Sequence, residues 1–536
     1  MSGTMPLDGG PGMPGGIAPR VAVRPAGRSG RAGRHEARSH KASPVRPGLA
    51  GGQYRPLSDH DLKRIHRTAL DVLAELGMAE ATEEIIEIAV AKGCRLGADG
   101  RLRFPRYLIE DVVAGAAKSY VLHGRDPARD IEVGGERVHF CTSGEAVRVL
   151  DFQSGQYRPS TLVDLFDLQR LADALEHVHN VGQTVVATDL DDAYVHDVNV
   201  AYTSAAATTK PFGISTATAA HVKEIIALFD LILGGEGRFQ KRPFCVIGGC
   251  PIVSPLRFGK HTSEVMVATT RAGLVADMCV ATQAGATSPA ALAGTLVQTV
   301  AETLACLAIV NFIRPGHPMH LGLWPFVSDL RTGAFTGGGG EEALLQAASA
   351  QIARFYGLPS SISAGMTDAK TPDGQAGFEK GVTVALAAAA GGNLISEVAG
   401  MVGSLMGASF EAMVIDNEML GVIQRTLKGI EVTDESLSYE VIKEVISGPG
   451  HYLGHPQTLA LMDREYLYPN ISDRSSLSAW EEDSSVGILD KARKEARRLL
   501  AAHYPDSIDA KADAAIRARF PIRLSQGDMR PGNGRW

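Results

Sequence analysis

Apolar and polar positions along this chain alternate between two rhythms. From Val138 onward, short apolar, β-branched-rich runs are each followed by a longer stretch in which apolar side chains recur every three or four positions. The short runs fall near Val138 to Thr142, Val178 to Thr188, Pro211 to Thr216, Phe244 to Val253, Leu274 to Thr282, Met319 to Phe326, Ser360 to Gly365 and Asn393 to Val398. The helical stretches between and after them fall near Leu162 to Glu176, Ala193 to Ala207, Ala219 to Leu233, Lys260 to Arg271, Pro289 to Ile313, Glu341 to Tyr356, Gln375 to Ala390 and Phe410 to Lys428. Strand and helix in strict alternation imply parallel strands joined by right-handed crossovers, and eight repeats predict an α/β chain built as a (β/α)8 TIM barrel. A doubly wound open sheet shares the local rhythm. No GxGxxG follows the first strand, however, which weakens the dinucleotide-binding version of that alternative.

The rhythm divides the chain into four parts. Residues 51–135 read as an N-terminal helical cap: Ser58 or Asp59 can start a helix ending at Gly77, a second spans about Thr82 to Lys92, and Pro105 opens a third. Tyr120 to His123 reads as a short strand. Residues 136–430 are the barrel, and residues 431–536 a C-terminal extension packing on it, with a charged amphipathic helix from about Asp490 to Ala502. Residues 1–50 are rich in Gly, Pro and Arg, with too few large apolar side chains to offset the entropy of ordering, and read as a disordered arm.

Charge sharpens that division. Eight basic residues in the arm against Asp8 and Glu36 give +6, so a whole-chain charge of −7 leaves −13 for the remainder. A basic arm without aromatic residues before an acidic body argues against a nucleic-acid role. The six cysteines (Cys94, Cys141, Cys245, Cys250, Cys279 and Cys306) form no CxxC pair and sit in apolar stretches, the pattern of buried free thiols in a reducing cytoplasm. No uninterrupted apolar run of about 18 residues appears; the nearest, around Gly381 to Ala408, is diluted by glycine, Asn393 and Glu397, so no membrane association is expected.

In a parallel barrel, chemistry collects where strands end. Polar candidates at those ends are Thr142, Ser143, Asp189, Ser215, Thr216, Gln283, Trp324, Asp329, Thr367, Asp368, Lys370, Asp373 and Glu397. An Asp just after a strand more often caps the next helix than binds a ligand. The seventh connection, AGMTDAKTPDGQAGFEK from Ala364, is harder to dismiss, because Thr367, Asp368, Lys370, Asp373 and Gln375 crowd it into a candidate pocket mouth. Gly337 to Gly340 precedes a helix that opens with Glu341 and Glu342, carboxylates that would repel a phosphate, so a tight or mobile loop is the default there. His451 and His455 have a metal-like spacing, but Gly454 and Pro456 argue against the helix that spacing needs, and no metal site is assigned.

Four segments in order carry a resemblance: HRTALDVLAELGM, SPAALAGTLVQTVAETLA, TDAKTPDGQAGFEK, and FEAMVIDNEML followed by KGIEVTDESLSYEVI. Together, from about Leu57 to Trp480, they resemble the trimethylamine methyltransferase family of corrinoid-dependent methyltransferases. The resemblance implies a TIM barrel, a homo-oligomer, and methyl transfer from a methylated amine to the Co(I) of a separate corrinoid-binding protein, with no tightly bound cofactor of the chain's own. Archaeal members that demethylate trimethylamine carry pyrrolysine two residues before the Asp of this segment. Met366 stands at that position here, which resembles the branch lacking pyrrolysine.

A quaternary ammonium has no N–H and is held by aromatic faces and nearby carboxylates. The expected substrate-binding residues are therefore Trp324, Phe326 and Met366 with Asp189, Asp368 and Glu397, and Tyr452 or Phe410 as further aromatic candidates. Because Met366 has no electrophilic carbon to activate a tertiary amine, the expected donor is already quaternary, glycine betaine-like. Two readings from other classes compete: a lyase or hydrolase using Asp368, Lys370 and Asp373, and a quaternary-amine binding protein without catalysis.

Overall fold

Seven parallel strands form the centre of the fold: β1 (Arg137–Phe140), β2 (Phe212–Ser215), β3 (Cys245–Gly249), β4 (Ala276–Val280), β5 (Leu321–Leu323), β6 (Ser360–Ser363) and β7 (Leu394–Ser396). They lie in the order β1-β7-β6-β5-β4-β3-β2, a curled sheet to which Leu49–Ala50 adds an antiparallel eighth strand beside β1. The computed structural model describes residues 46–142, 144–448, 450–483 and 485–536. All but the end of the expected arm, and Ser143 among the strand-end candidates, lie outside the described residues. Leu49 pairs with Val138, two residues ahead of the boundary read at residue 51.

The run from Val178 to Thr188 is a correction to the sequence reading, for it forms no regular strand. It touches its neighbours through single parallel bridges, Asn180 to Cys141, Val181 to Phe212 and Val185 to Ala146. The physical reason is side-chain competition. His179 offers Nδ1 to Phe140 N at 3.1 Å, and Thr142 Oγ1 takes Gly182 N at 2.7 Å, so side chains replace part of the ladder. The sixth predicted strand is also divided: β5 stops at Leu323, Pro325 turns the chain, and Phe326–Ser328 joins a small sheet with Gln283–Ala284 and Phe335–Thr336.

The helices follow their apolar periodicity closely. They are α1 (Leu162–Ala174), α2 (Ala193–Ala207), α3 (Ala219–Ile232), α4 (Lys260–Ala272), α5 (Leu292–Ile313), α6 (Gly340–Tyr356), α7 (Gly374–Ala390) and α8 (Phe410–Lys428). Local chemistry sets their ends: Thr161 and Asp164 make a reciprocal capping box on α1, and Gly391, at φ 94°, ends α7 in a conformation costly for any residue with a Cβ. The longest apolar helix is α5, not the Gly381 to Ala408 stretch. It is long and apolar enough to cross a membrane, yet 83% of its most apolar window is buried inside the protein.

That burial explains the N-terminal region. Helices Asp59–Asp71, Glu83–Ala91 and Arg106–Gly115 pack on α5, and Ala79 and Arg101 bond the backbone at Leu256, in the connection that leaves β3. The hairpin Ser119–Leu122 with Ile131–Gly134 does close one end, packing Tyr120, Leu122, Ile131 and Val133 against Val246, Val275 and Leu394 near the strand starts. The C-terminal extension is tied down at α1. Fully buried Arg170 bonds Asp167 at 2.7 Å and the carbonyl of Leu500 at 2.6 Å, while Arg535 and the Trp536 indole also reach Asp167. These contacts satisfy charges that burial would otherwise make costly.

Candidate functional site

At the C-terminal end of β5, Trp324 N donates to Val280 O at 3.1 Å, and its indole Nε1 reaches Ser361 Oγ at 3.2 Å. Alternation explains the direction: Leu323 packs outward in the main core, so the next residue turns inward. Phe326 lies 6.5 Å from Trp324 and 5.0 Å from Phe335, edge to face in both pairs. Met366 and Met401, both without exposed surface, complete this cluster with Leu405. Trp324, Phe326 and Met366 are thus brought together. Phe410 packs instead against Phe152 and Trp536, and Tyr452 is exposed in the extension.

Met366 lies under the glycine loop. A Cβ on Gly337 would stand 2.7 Å from Met366 Cβ, and one on Gly338 would stand 2.3 Å from the Glu379 carboxyl. The glycines are required because this loop crosses the β6–α7 connection at backbone distance. Asp368 fastens the crossing: its Oδ1 accepts from Gly337 N at 2.9 Å and from Ser404 Oγ at 2.6 Å. Glu379 fastens the other side, taking Thr367 Oγ1 at 2.5 Å, Asp368 N at 2.8 Å and Gln375 Nε2 at 2.9 Å. Phosphate finds no place in a loop backed by Glu379, Asp368 and Glu342.

Among the described residues, carboxyls dominate these surroundings. Glu342 is fully buried with Oε1 on Gln346 Nε2 at 2.7 Å and Oε2 unpartnered; burial pushes its carboxyl well above the ordinary range, and the Asp368 charge pushes the same way. Glu397, buried at the end of β7, is raised to about 8, chiefly by burial, although its bond from Gly144 N at 3.0 Å opposes the shift. Glu397 and neighbouring Glu145 both hold left-handed backbone conformations, φ 67° and 60°, uncommon for side chains of this kind. Lys380, the buried cation of α7, is committed to Asp416 at 2.6 Å.

The other expected residues are spread by the structure. Asp189 is exposed and its Oδ1 receives Leu162 N at 2.9 Å, at the start of α1 rather than at the aromatic cluster. Asp373 is the N-cap of α7, accepting from Gln375 N and Ala376 N. The exposed Lys370 ammonium bonds the backbone carbonyl of Asp368, the Lys370 carbonyl accepts from Tyr157 Oη at 2.6 Å, and Gln375 supports Glu379. The Asp368, Lys370 and Asp373 side chains therefore make no acid–base constellation. His455 caps the helix Pro456–Leu461, and no three His, Cys, Asp or Glu among the described residues are grouped to hold a metal ion.

Sequence reasoning missed Glu145, Glu342 and Glu379 as site residues. For Glu379 a signal existed, its spacing of four from Gln375 within the seventh connection; Glu145 and Glu342 reach Glu397 and Asp368 only through the tertiary structure. A cavity of about 820 Å3 lies elsewhere, lined by Tyr202, Tyr504, Asp513 and Met529 where the extension meets α2. Its Asp513 is bound to Arg517 and Tyr202, which makes it a packing seam.

Comparison with known proteins converges on one family. The profile described as Trimethylamine methyltransferase (MTTB) matches residues 26–526. The chain is 32% identical over 474 residues to the trimethylamine methyltransferase MttB of Desulfitobacterium hafniense (strain DSM 10664 / DCB-2), covering 88% of this chain and 93% of that protein. It is 29% identical over 469 residues to the glycine betaine methyltransferase of Desulfitobacterium hafniense (strain Y51), covering 87% and 96% respectively. Among solved structures, the Methanosarcina barkeri monomethylamine methyltransferase (MtmB) aligns with a TM-score of 0.42 at 15% identity, over 84% of this chain and 95% of that one. With a profile match spanning nearly its whole length, the chain belongs to the trimethylamine methyltransferase family.

Proposed function

We propose that this enzyme transfers a methyl group from a quaternary amine of the glycine betaine type to the Co(I) of a separate corrinoid protein. The observation that carries the reading is Met366, an apolar thioether buried beside Phe326 and Trp324, at the position that the family resemblance matches to pyrrolysine. A tertiary amine would leave as an amide anion unless first activated, whereas a quaternary amine leaves as a neutral tertiary amine. Trp324 and Phe335 offer partly open aromatic faces for the cation. Carboxylates of Asp368 and Glu379 supply a diffuse negative field, to which Glu397, raised to about 8, adds only as it ionises. Positive charge falls in the transition state, so a tight carboxylate pair would stabilise the ground state more than the barrier. Orientation of one methyl toward the mouth is the larger contribution, and no general base is required.

When bound, the partner's corrinoid supplies the nucleophile. Its approach is compatible with exposed apolar side chains on elements leaving the strand ends, Leu330, Phe378 and Met406, at 69%, 62% and 55% exposure. The bridges of Asn180 and Val181 to the two flanking strands support a closed (β/α)8 barrel. Ile430, Ile446 and Leu453, at 90%, 74% and 83% exposure, support a homo-oligomer in which a second copy covers the extension. The same reading places the enzyme in the cytoplasm.

The test is to mix the protein with reduced cobalamin and a panel of methylated amines and follow the visible absorbance change on cobalamin methylation. Methylation from glycine betaine or a related quaternary amine, and none from trimethylamine, is expected. Robust methylation from trimethylamine with betaines inert would overturn the assignment, as would release of methanol or formaldehyde from substrate alone.

A further inference from the structure

Two of the six cysteines do not behave as the buried thiols their apolar neighbourhoods suggest. Cys250 is exposed and Cys279 half-buried, whereas Cys94, Cys141, Cys245 and Cys306 are buried. Cys250 follows β3 directly, and Cys279 lies near the end of β4; together they continue by one residue the parallel register in which Gly249 faces Met278. Adjacent strands run about 4.8 Å apart, within the roughly 4.4–6.8 Å Cα separation that a disulfide accepts. The two Sγ atoms are already 3.0 Å apart. No third His, Cys, Asp or Glu among the described residues joins them in a metal-binding group.

We propose that Cys250 and Cys279 are a modification site, a dithiol at the strand ends that hydrogen peroxide or a small hydroperoxide converts reversibly into an intramolecular disulfide. In the first step Cys250 Sγ, as thiolate, attacks the terminal peroxide oxygen; the O–O bond breaks, the departing oxygen takes up a proton and leaves as water, or as the alcohol when the oxidant is a hydroperoxide, and Cys250 becomes a sulfenic acid. In the second step Cys279 Sγ attacks Cys250 Sγ, the S–O bond breaks, and water leaves. Each sulfur gives up one electron, and the two electrons reduce the peroxide. The order follows from the environments. The bond to Cys250 and burial hold the Cys279 thiol well above its ordinary range, with the Asp277 and Glu145 charges acting the same way, so the exposed partner reacts first. The cross-link would staple β3 to β4 beside Trp324, which bonds Val280 O one residue beyond Cys279. This inference goes beyond methyl transfer and stands whichever amine is the donor.

The test treats native full-length protein with hydrogen peroxide, alkylates it with iodoacetamide, and maps the digest by mass spectrometry. A Cys250–Cys279 cross-linked peptide, loss of two of the six thiols and recovery by dithiothreitol are expected, before fully buried Cys306 becomes alkylated. Cys279→Ser should leave Cys250 as a sulfenic acid trapped by dimedone, and Cys250→Ser, at the exposed position, should leave Cys279 unmodified. Both cysteines alkylated after peroxide, Cys250 over-oxidised beside an intact Cys279, or a cross-link only in protein that also exposes Cys306 would each overturn the proposal.

Discussion

Glu397 offers the sharpest quantitative test of the site. Burial holds its carboxyl at about 8 in the folded protein, against an ordinary value of 4.5. Below pH 4.5 the group is protonated in both folded and unfolded chains and has no pH-dependent effect. As pH rises from there toward 8 the unfolded chain releases the proton while the folded one keeps it, so folding loses stability; above 8 the loss is constant. At about 1.36 kcal/mol per pH unit, the penalty is roughly 3.5 kcal/mol at pH 7 and roughly 5 kcal/mol above pH 8. Glu397→Gln removes the ionisation while leaving an oxygen to accept from Gly144 N. Urea unfolding of variant and wild type should therefore agree near pH 4.5 and diverge steadily up to pH 8, with the variant more stable. A wild-type-minus-variant infrared spectrum should show a protonated carboxyl carbonyl band at pH 6 that fades as pH passes through 8. A stability difference flat between pH 5 and 8, with no such band at pH 6, would refute the claim that burial governs this carboxyl.

Four further outcomes follow from the same geometry. A quaternary cation bound near Glu397 favours its carboxylate, so glycine betaine binding at pH 7 should release a fraction of a proton, read as calorimetric heat that varies with buffer ionisation enthalpy; heat independent of buffer would separate the two. Gly338→Ala drives a Cβ to 2.3 Å from the Glu379 carboxyl and should cost roughly 2–4 kcal/mol in urea unfolding, while Gly340→Ala, which meets nothing within 4 Å, should be near neutral. Trp324→Ala should weaken betaine binding by about 1–2 kcal/mol, a 5- to 30-fold rise in Kd, with Trp324→Phe intermediate. Met366→Leu should cost less than about 1.5 kcal/mol and keep methyl transfer, whereas Met366→Ala should cost about 2–5 kcal/mol; loss of activity in the leucine variant at full stability would give the sulfur a role beyond packing.

Helices were the most legible part of the chain. The bounds read for α2 and α8 are the observed ones, because apolar periodicity and end chemistry act within a few residues. Strands were legible as apolar runs, but their ends were not. Pro325 divides the sixth run, and side chains of His179 and Thr142 interrupt the second, effects that depend on partners about 40 residues away in sequence.

For the site, the sequence by itself determined which connection is dense in polar groups. Asp368, Thr367 and Gln375 lie within one short segment, and a local segment announces itself. The tertiary structure alone decided which of those groups are already occupied. Asp373 is taken by the α7 terminus and Asp189 by the α1 terminus, while Glu379, from the first turns of α7, bonds Asp368 N and Thr367, and the Asp368 charge reaches buried Glu342 of α6. Likewise Cys250 and Cys279, 29 positions apart, meet only because β3 and β4 are neighbours in register. Proximity between strand ends is set by how the sheet curls, which depends on the packing of every helix around it. Single-chain periodicity carries no record of that sum.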